Sequence, residues 1–362
     1  MALVERPTLQ ETLFFNGRTS YDRTIPVPVP AQENDTSPMR HLTAAVALLC
    51  AAIATPLAIA SDITVCPSGC DHSTIKSAIN SAGNGDVILV SAGQYDERNM
   101  DTKRSITIQG EVDKSGAPAV IINSNGSKRI FLADDGQDVV LRNLVMQNGD
   151  GDEGGAVKID GNSHIDFDNC IIRDNEGKKG AGVYVNSGSA TFTSCRFENN
   201  ESEDEGGALH LNSSSATLTD CTFVGNETDK DGAGIYANSS PVTLVGCEIS
   251  DNDADGDGGG IYRNSSTVKL TDTIVCGNRP NDQIEGSWQD LGGNCVEVSC
   301  DDCQTDCIAD INQDGIVDSG DLGLVIAAWG SSDQACDLDG NGTVGGGDIA
   351  YVLGYWDSCV VE

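Results

Sequence analysis

"GAGIYANSSPVTLVGCEISDN", residues 232–252, is one period of a pattern that fills the centre of this 362-residue chain. Its glycine-rich start recurs every 26 residues, at Gly154, Gly180, Gly206, Gly232 and Gly258. A cysteine closes the second apolar segment at Cys170, Cys195, Cys221 and Cys247, with Thr273 in the fifth repeat. Five residues beyond that slot is an asparagine: Asn175, Asn200, Asn226, Asn252 and Asn278. A fixed period of this length is the signature of a solenoid.

Each repeat contains two short alternating segments, which predict two strands per coil. In "GIYAN", Ile235 and Ala237 should point inward and Tyr236 outward, because successive side chains of a strand face opposite sides. Stacked coils would add strands to parallel sheets at about 4.8 Å. The asparagine column, which extends back to Asn148 in "LRNLVMQN", is expected to tolerate left-handed backbone and to hydrogen-bond between coils.

The segment that precedes the repeats predicts a cap for the open end of the solenoid. Ile75, Ala78, Ile79 and Ala82 share one face of a short helix that Ser73 or Thr74 could cap. With the repeats, this arrangement resembles secreted right-handed parallel β-helix proteins, whose coils are similar to those of polymorphic outer-membrane proteins and pectate lyases. The resemblance implies an all-β fold, a right-handed parallel β-helix of about 26 residues per coil.

The N-terminal region is predicted to direct secretion. Residues 39–60 read as a signal peptide that ends in a small-x-small pattern, and residues 1–38 as a non-native or disordered extension. An uncleaved membrane anchor is the alternative, which Pro56 and the small residues disfavour. The remaining chain divides into a solenoid (61–297), a linker (298–306) and a C-terminal domain (307–362). We expect a secreted, extracellular or cell-surface protein without a transmembrane segment in its mature chain.

The chain is strongly acidic, with 21 Lys plus Arg against 56 Asp plus Glu and a net charge of −35. Nucleic acid is excluded as a partner, because phosphate binding requires clustered basic residues. Unaided capture of an anionic polymer is disfavoured for the same reason, whereas divalent cations are attracted.

The cysteines divide by environment. The four repeat cysteines should pack inward as small hydrophobes; a metal column or redox relay is conceivable, but no histidine shares their slot. Cys66 and Cys70 are close enough for a local disulfide. Seven further cysteines crowd the C-terminal third, where an oxidising compartment favours disulfides of undetermined connectivity: Cys276, Cys295, Cys300, Cys303, Cys307, Cys336 and Cys359. Zinc binding by "CDDCQTDC" is the alternative.

Two loops near the C-terminus, "DINQDGIVDSGDL" (310–322) and "DLDGNGTVGGGDI" (337–349), have the oxygen-ligand spacing of calcium loops. The first would bind calcium through Asp310, Asn312, Asp314, the Ile316 carbonyl, Asp318 and Asp321. The second would use Asp337, Asp339, Asn341, the Thr343 carbonyl and Asp348. Two calcium ions are therefore expected, and folding of this module should depend on them because the carboxylates repel one another without a cation.

Each loop is followed by a short apolar helix, and the whole resembles a type I dockerin domain. That family is a duplicated calcium module that attaches carbohydrate-active enzymes to cohesin-bearing scaffolds. The resemblance implies a cohesin-like or cell-surface protein partner. The family's partner-reading positions are Ser319-Gly320 and Gly346-Gly347 here, which departs from its familiar Ser-Thr type and leaves simple anchoring as an alternative.

The outward slot of the first strand reads Lys158, Tyr184, His210, Tyr236 and Tyr262 in successive coils. This stripe could stack against the sugar rings of a polysaccharide, with Lys158 and His210 as candidates for proton transfer. Alternatively, the rings stack only to stabilise the sheet. The resemblances imply a polysaccharide lyase or glycoside hydrolase, but no motif fixes a reaction. A non-catalytic cell-surface or adhesin-type solenoid, with the calcium module as anchor, is the competing hypothesis.

Overall fold

The computed structural model describes residues 61–303, 309–312, 314 and 316–356. Over the first of these ranges the chain winds as a solenoid whose strands form four sheets. Neighbouring strands pair in parallel and in register, so that His210 lies opposite Tyr184 on one side and Tyr236 on the other. This confirms the parallel solenoid. The predictions for residues 1–60, Cys307 and Cys359 fall outside the described residues.

The ten-stranded sheet contains, in order, Asp62–Val65, Val87–Val90, Thr107–Gly110, Asp138–Arg142, His164–Asp168, Ser189–Thr193, Ser215–Thr219, Val242–Val245, Val268–Thr271 and Gln289–Asp290. The nine-stranded sheet contains Gly93–Tyr95, Val120–Asn123, Leu144–Gln147, Ile171–Arg173, Arg196–Glu198, Thr222–Val224, Glu248–Ser250, Ile274–Cys276 and Cys295–Glu297. The eight-stranded sheet contains Met100–Asp101, Phe131–Ala133, Val157–Ile159, Val183–Asn186, Leu209–Asn212, Ile235–Asn238, Ile261–Asn264 and Ile284–Glu285. The five-stranded sheet contains Asp150–Glu153, Glu176–Lys179, Glu201–Ser202, Glu227–Thr228 and Asp253–Ala254.

The prediction of two strands per coil was wrong, because the repeats form three or four. The residues after each cysteine also alternate, and Phe197 is fully buried between Arg196 and Glu198. The acidic turns pair as well, because coils of equal length bring their backbone groups into register. The Glu227 N–H, for example, donates to the Asn200 carbonyl at 2.9 Å.

The inward positions form one continuous apolar core along the solenoid. Ile235 and Ala237 are fully buried and Tyr236 faces outward, as the strand period predicts. Phenylalanine rings stack from coil to coil, with centroids 4.6 Å apart for Phe167 and Phe192. Burial of this kind contributes about 25 cal/mol per Å² of apolar surface, so the core is the main source of stability.

Five buried asparagines form the predicted hydrogen-bonded ladder. The Nδ2 of Asn175, Asn200, Asn226 and Asn252 donates to the Oδ1 of the next asparagine at 2.8–2.9 Å, and Asn278 donates to Gln283. The left-handed backbone lies one residue earlier, as at Asp174 (φ 53°), so that part of the prediction was wrong. Asn148 (φ 53°) occupies this earlier slot, and the ladder does not include it.

Different structural elements lie at the two ends of the solenoid. At the start, helix α1 (Ile75–Ser81) is capped by the Thr74 side chain, and a Cys66–Cys70 disulfide lies nearby. At the other end, two disulfides connect the last coils to a 3-10 helix within the predicted linker: Cys276–Cys300 and Cys295–Cys303. The predicted disulfides among these cysteines are therefore present, and the four inward repeat cysteines are buried free thiols, as expected.

The C-terminal residues form a small helical unit. Helix α2 (Ser319–Ala327) and helix α3 (Gly346–Gly354) each begin within the last residues of a predicted calcium loop. Their core has buried valines at positions 27 residues apart, such as Val325 and Val352, which reflects the sequence duplication. Within the described part of the chain, no helix combines the length and apolar character that a membrane span requires.

Candidate functional site

The predicted outward stripe is a real column of side chains on the eight-stranded sheet. Strand register places Lys158, Tyr184, His210, Tyr236 and Tyr262 at the same level in five successive coils. The Tyr184 and His210 ring centroids are 4.9 Å apart, and those of His210 and Tyr236 are 4.7 Å apart. Tyr236 and Tyr262 stack at 5.1 Å with nearly parallel planes. The column therefore brings together all five residues that the sequence singled out.

Burial divides this column into two parts. Tyr184 and His210 are only 6% and 4% exposed, because each ring is covered by its neighbours in the column. Tyr236 and Tyr262 are partly exposed. The face that a sugar could reach is therefore the Tyr236–Tyr262 half of the column, a division that the repeat pattern alone does not reveal.

Lys158 is held by acidic neighbours. Its ammonium group lies 2.7 Å from Glu153 and 3.0 Å from Asp160, and it approaches the Tyr184 ring at 5.9 Å. Burial alone would lower the pKa of Lys158, but hydrogen bonds to the two carboxylates raise it above its ordinary value. The amine is therefore a stable cation, which can hold an acidic or hydroxyl group but is a poor proton acceptor.

His210 is neutral at ordinary pH. Burial lowers its pKa from 6.5 to about 4, and its Nδ1 lies 3.1 Å from the Glu205 carbonyl oxygen. That geometry fits an Nδ1–H donor, which holds the ring in one orientation. A buried neutral imidazole lacks the accessible proton that a general acid needs at neutral pH. The environment of His210 therefore fits packing better than proton transfer.

The second calcium loop gathers three carboxylates. One oxygen each from Asp337, Asp339 and Asp348 lies within 4.8 Å of the others. Asp348 is fully buried, and its carboxylate accepts the backbone N–H groups of Leu338 and Gly345. These hydrogen bonds, led by the one from Gly345, lower the pKa of Asp348.

One oxygen in this loop lacks a protein partner. The Oδ1 atom of Asp337 is buried without a hydrogen bond, whereas its Oδ2 accepts the Gly342 N–H at 2.8 Å. A buried carboxylate oxygen left unpaired is costly, and a cation would satisfy it. Asn341 and Thr343 complete the turn, the Thr343 N–H donating to the Asn341 side chain at 3.0 Å. The residues present therefore fit a hard cation with oxygen ligands.

The first loop has a related arrangement. The buried Asp321 carboxylate accepts the backbone N–H groups of Asn312 and Asp318, as Asp348 does in the second loop. The Asp314 N–H donates to Asp310 at 3.2 Å. The Ile316 N–H donates to the Asp314 carboxylate at 3.1 Å. The alternating oxygens thus face one turn, although its carboxylates are not grouped as closely as those of the second loop.

The acidic turns form a separate surface on the five-stranded sheet. Asp150, Glu176, Glu201 and Glu227 lie in register on successive coils. The first three line, with their neighbours, a groove of about 280 Å³. Basic residues offset only part of this charge, as in the 3.0 Å ion pair of Lys178 with Asp152. This surface extends the negative potential of the chain along one flank of the solenoid.

The sequence reasoning overlooked a second outward surface, on the ten-stranded sheet. Its signal was present in "SATFT" (189–193) and "SATLT" (215–219), where serine and threonine occupy every outward position. Serine and threonine are common in strands, so these residues carry no signal of a site until the strand register places their hydroxyl groups side by side.

Comparisons with known proteins concern the solenoid. A family model described as a right-handed β-helix region matches residues 70–223 and 155–326, which together span more than half of the chain. No curated protein matches.

Among solved structures, the pectate lyase Pel9A has 12% identity and a TM-score of 0.46, with 64% of this chain and 68% of that chain covered. The pectin methylesterase PemA from Erwinia chrysanthemi has 14% identity and a TM-score of 0.39, with coverage of 64% and 82%. The alginate lyase AlyGC has 11% identity and a TM-score of 0.41, with coverage of 66% and 39%. None of these values assigns an activity to the chain.

Proposed function

This chain belongs to the right-handed β-helix family, and on that premise we propose that it is a secreted protein that binds a polysaccharide along its coils. A calcium-binding C-terminal module attaches it to a cohesin-like or cell-surface partner. The observation that carries the proposal is the Tyr236–Tyr262 pair, two nearly parallel rings 5.1 Å apart and partly exposed on a regular sheet. Such rings offer flat apolar faces of the kind that stack against sugars.

Charge supports a neutral or weakly charged polymer as the ligand. The net charge of −35 repels polyanions, and the one cation of the column, Lys158, is already paired with Glu153 and Asp160. A neutral sugar can stack its C–H groups on the faces of the tyrosine rings without bringing further charge to this acidic surface.

Calcium would be held by the two C-terminal loops. In the second loop, Asp337, Asp339 and Asp348 would supply carboxylate oxygens, and Asn341 and the Thr343 carbonyl the remainder. When bound, the ion neutralises carboxylates that otherwise repel one another, and so couples folding of α2 and α3 to metal. The first loop would act in the same way through Asp310, Asn312, Asp314, the Ile316 carbonyl, Asp318 and Asp321.

The attachment role is supported by apolar side chains on the two helices. Ile326 and Leu353, which occupy equivalent positions 27 residues apart, are 55% and 56% exposed. The equivalent Trp329 and Trp356 are 56% and 39% exposed. Exposed apolar side chains concentrated on one small unit are typical of protein-binding surfaces.

The test uses the mature chain from Ser61 in excess calcium with a panel of neutral and uronic-acid polysaccharides. Retention is measured by affinity electrophoresis, and new reducing ends and unsaturated products are assayed in parallel. A Tyr262→Ala variant should weaken binding of the recognised polymer by about tenfold, one lost aromatic contact being of this order. Val224→Ala, which shortens an outward residue on the nine-stranded sheet, should leave binding unchanged. If Tyr262→Ala and Val224→Ala bound the polymer equally well, polysaccharide binding could not be assigned to the column.

A non-catalytic cell-surface protein is the second candidate function. It is favoured by the uninterrupted 26-residue period from 154 to 279 and by the buried, neutral state of His210. Formation of either product from any polymer would exclude it. Unsaturated products would establish a lyase, and new reducing ends without unsaturation would establish a glycoside hydrolase. Loss of that product in His210→Ala or Lys158→Ala would then place the reaction on the column.

A further inference from the structure

The outward surface of the ten-stranded sheet carries a regular array of hydroxyl groups. We call it the threonine face; it consists of Thr191, Thr193, Thr217, Thr219 and Thr243, and it ends at the outward Val245, which lies opposite Thr219. Thr191 and Thr193 lie opposite Thr217 and Thr219, and Thr217 lies opposite Thr243. Neighbouring strands are about 4.8 Å apart, and alternate side chains on a strand about 6.6 Å apart. The hydroxyl groups therefore repeat in two dimensions on a single sheet.

These hydroxyl groups are not used by the protein itself. Within residues 61–303, none of these five hydroxyl groups donates or accepts a hydrogen bond, although other hydroxyl groups of the same coils do. Ser240, for example, donates to the Asn238 carbonyl at 2.7 Å, and Ser202 and Thr228 bond to each other at 2.9 Å. The hydrogen-bonding capacity of the five hydroxyl groups on the threonine face is therefore open to an external ligand.

The face is neutral in a chain whose net charge is −35. Charged residues border it on two sides: Asp166 and Asp168 lie opposite Thr191 and Thr193, and Lys269 lies opposite Thr243. The stacked carboxylates belong to the five-stranded sheet, which is a different side of the coil. An uncharged ligand can therefore approach this face without displacing counterions or burying a carboxylate.

We infer that the threonine face binds the flat surface of a neutral, insoluble polysaccharide. This inference rests on the proposed function and specifies its ligand class. A hydroxyl group donates and accepts, so it can pair with a sugar hydroxyl in either sense. Threonine is also stiff at χ1, and its methyl group can contact sugar C–H groups, so little side-chain freedom is lost on binding. A regular row of such side chains matches a ligand that is itself flat and periodic.

The test is sedimentation of the calcium-saturated mature chain with microcrystalline cellulose and, separately, chitin. The triple variant Thr217→Val, Thr219→Val, Thr243→Val removes three hydroxyl groups but preserves the branched shape and strand propensity. It should bind at least about tenfold more weakly, since three polar contacts are lost. Thr222→Val is the matched control, an outward threonine of the same coil on the nine-stranded sheet, and should bind as the parent does.

A charge variant gives an independent comparison. Thr217→Glu places a carboxylate in the middle of the threonine face, whereas Thr222→Glu places the same group on the neighbouring sheet. Only Thr217→Glu should abolish sedimentation of the protein with the insoluble polysaccharide. Melting temperatures of the two variants establish that both are folded. Unchanged binding by the triple valine variant, or retention only on soluble polymers, overturns the inference and leaves the proposed function standing. Failure of the parent to bind any polymer, soluble or insoluble, overturns both.

Discussion

Replacement of Asn226 by alanine should be among the most destabilising single changes in the solenoid. Its Oδ1 accepts the backbone N–H of Asn200 at 3.1 Å and the Asn200 side-chain amide at 2.8 Å. Its Nδ2 donates to the Phe197 carbonyl at 3.1 Å and to Asn252 at 2.8 Å. All of these groups lie in the buried ladder, so water cannot replace the lost asparagine.

The size of the destabilisation by Asn226→Ala follows from the hydrogen-bonding groups that the variant leaves unpaired. Asn226→Ala leaves two buried N–H donors of Asn200 without their acceptor, at a cost of about 1–3 kcal/mol each. The loss of the Nδ2 bonds is smaller, because Asn252 Oδ1 still accepts the backbone N–H of residue 226. The expected loss in free energy of unfolding is about 4 kcal/mol in total.

The assay is urea unfolding followed by far-ultraviolet circular dichroism in saturating calcium. Asn238→Ala is the matched control, because the Asn238 side chain is half-buried and donates one side-chain hydrogen bond, to Asn212 at 2.8 Å. That variant should lose only about 1 kcal/mol. If the two variants were destabilised equally, the buried ladder would not have the structural role assigned to it here.

Three further predictions address titration, thiols and metal. Since burial lowers the pKa of His210 from 6.5 to about 4, the unfolded chain takes up a proton first as pH falls. Between pH 7.5 and pH 4, the free energy of unfolding of the parent should therefore fall by about 3 kcal/mol more than that of His210→Phe. Urea unfolding of both proteins at each pH measures this difference, and a difference that does not change with pH would refute the assignment. Burial raises the pKa of the Cys195 thiol, and Cys170, Cys221 and Cys247 are equally enclosed, so none of the four should react with a thiol reagent until the solenoid unfolds. Labelling of these thiols in the native protein, detected by mass spectrometry, would be inconsistent with the packed core. Asp348→Asn should weaken calcium binding at the second loop by at least about tenfold in titration calorimetry, whereas Asp333→Asn, outside the ligand set, should not; equal affinities would count against the proposed ligands.

The periodic features of this chain were predictable because the same residue pattern recurs in each repeat. The inward placement of Ile235 and Ala237, the asparagine ladder and the thiol column all follow from a strict two-residue alternation within a 26-residue period. The helix that begins at Ile75 was equally clear, because its apolar spacing and its cap agree.

Other features were not predictable, since they depend on contacts between coils. The short strands in the acidic turns arise only because coils of equal length bring the turns into register, and no local propensity favours a strand at Glu201–Ser202. The burial of Tyr184 and His210 depends in the same way on rings in adjacent coils. Disulfide pairing is a matter of three-dimensional proximity, so Cys276–Cys300 could not be deduced from spacing.

Carbohydrate binding by the coils is tested by retention of the mature chain on polysaccharides in excess calcium, compared across neutral and uronic-acid polymers. We expect retention by at least one neutral polymer and little retention by the polyanions, because the solenoid carries open hydroxyl and aromatic surfaces on a chain of net charge −35. Absence of retention by every polymer tested, with the protein folded and calcium bound, would contradict the claim that the coils bind carbohydrate.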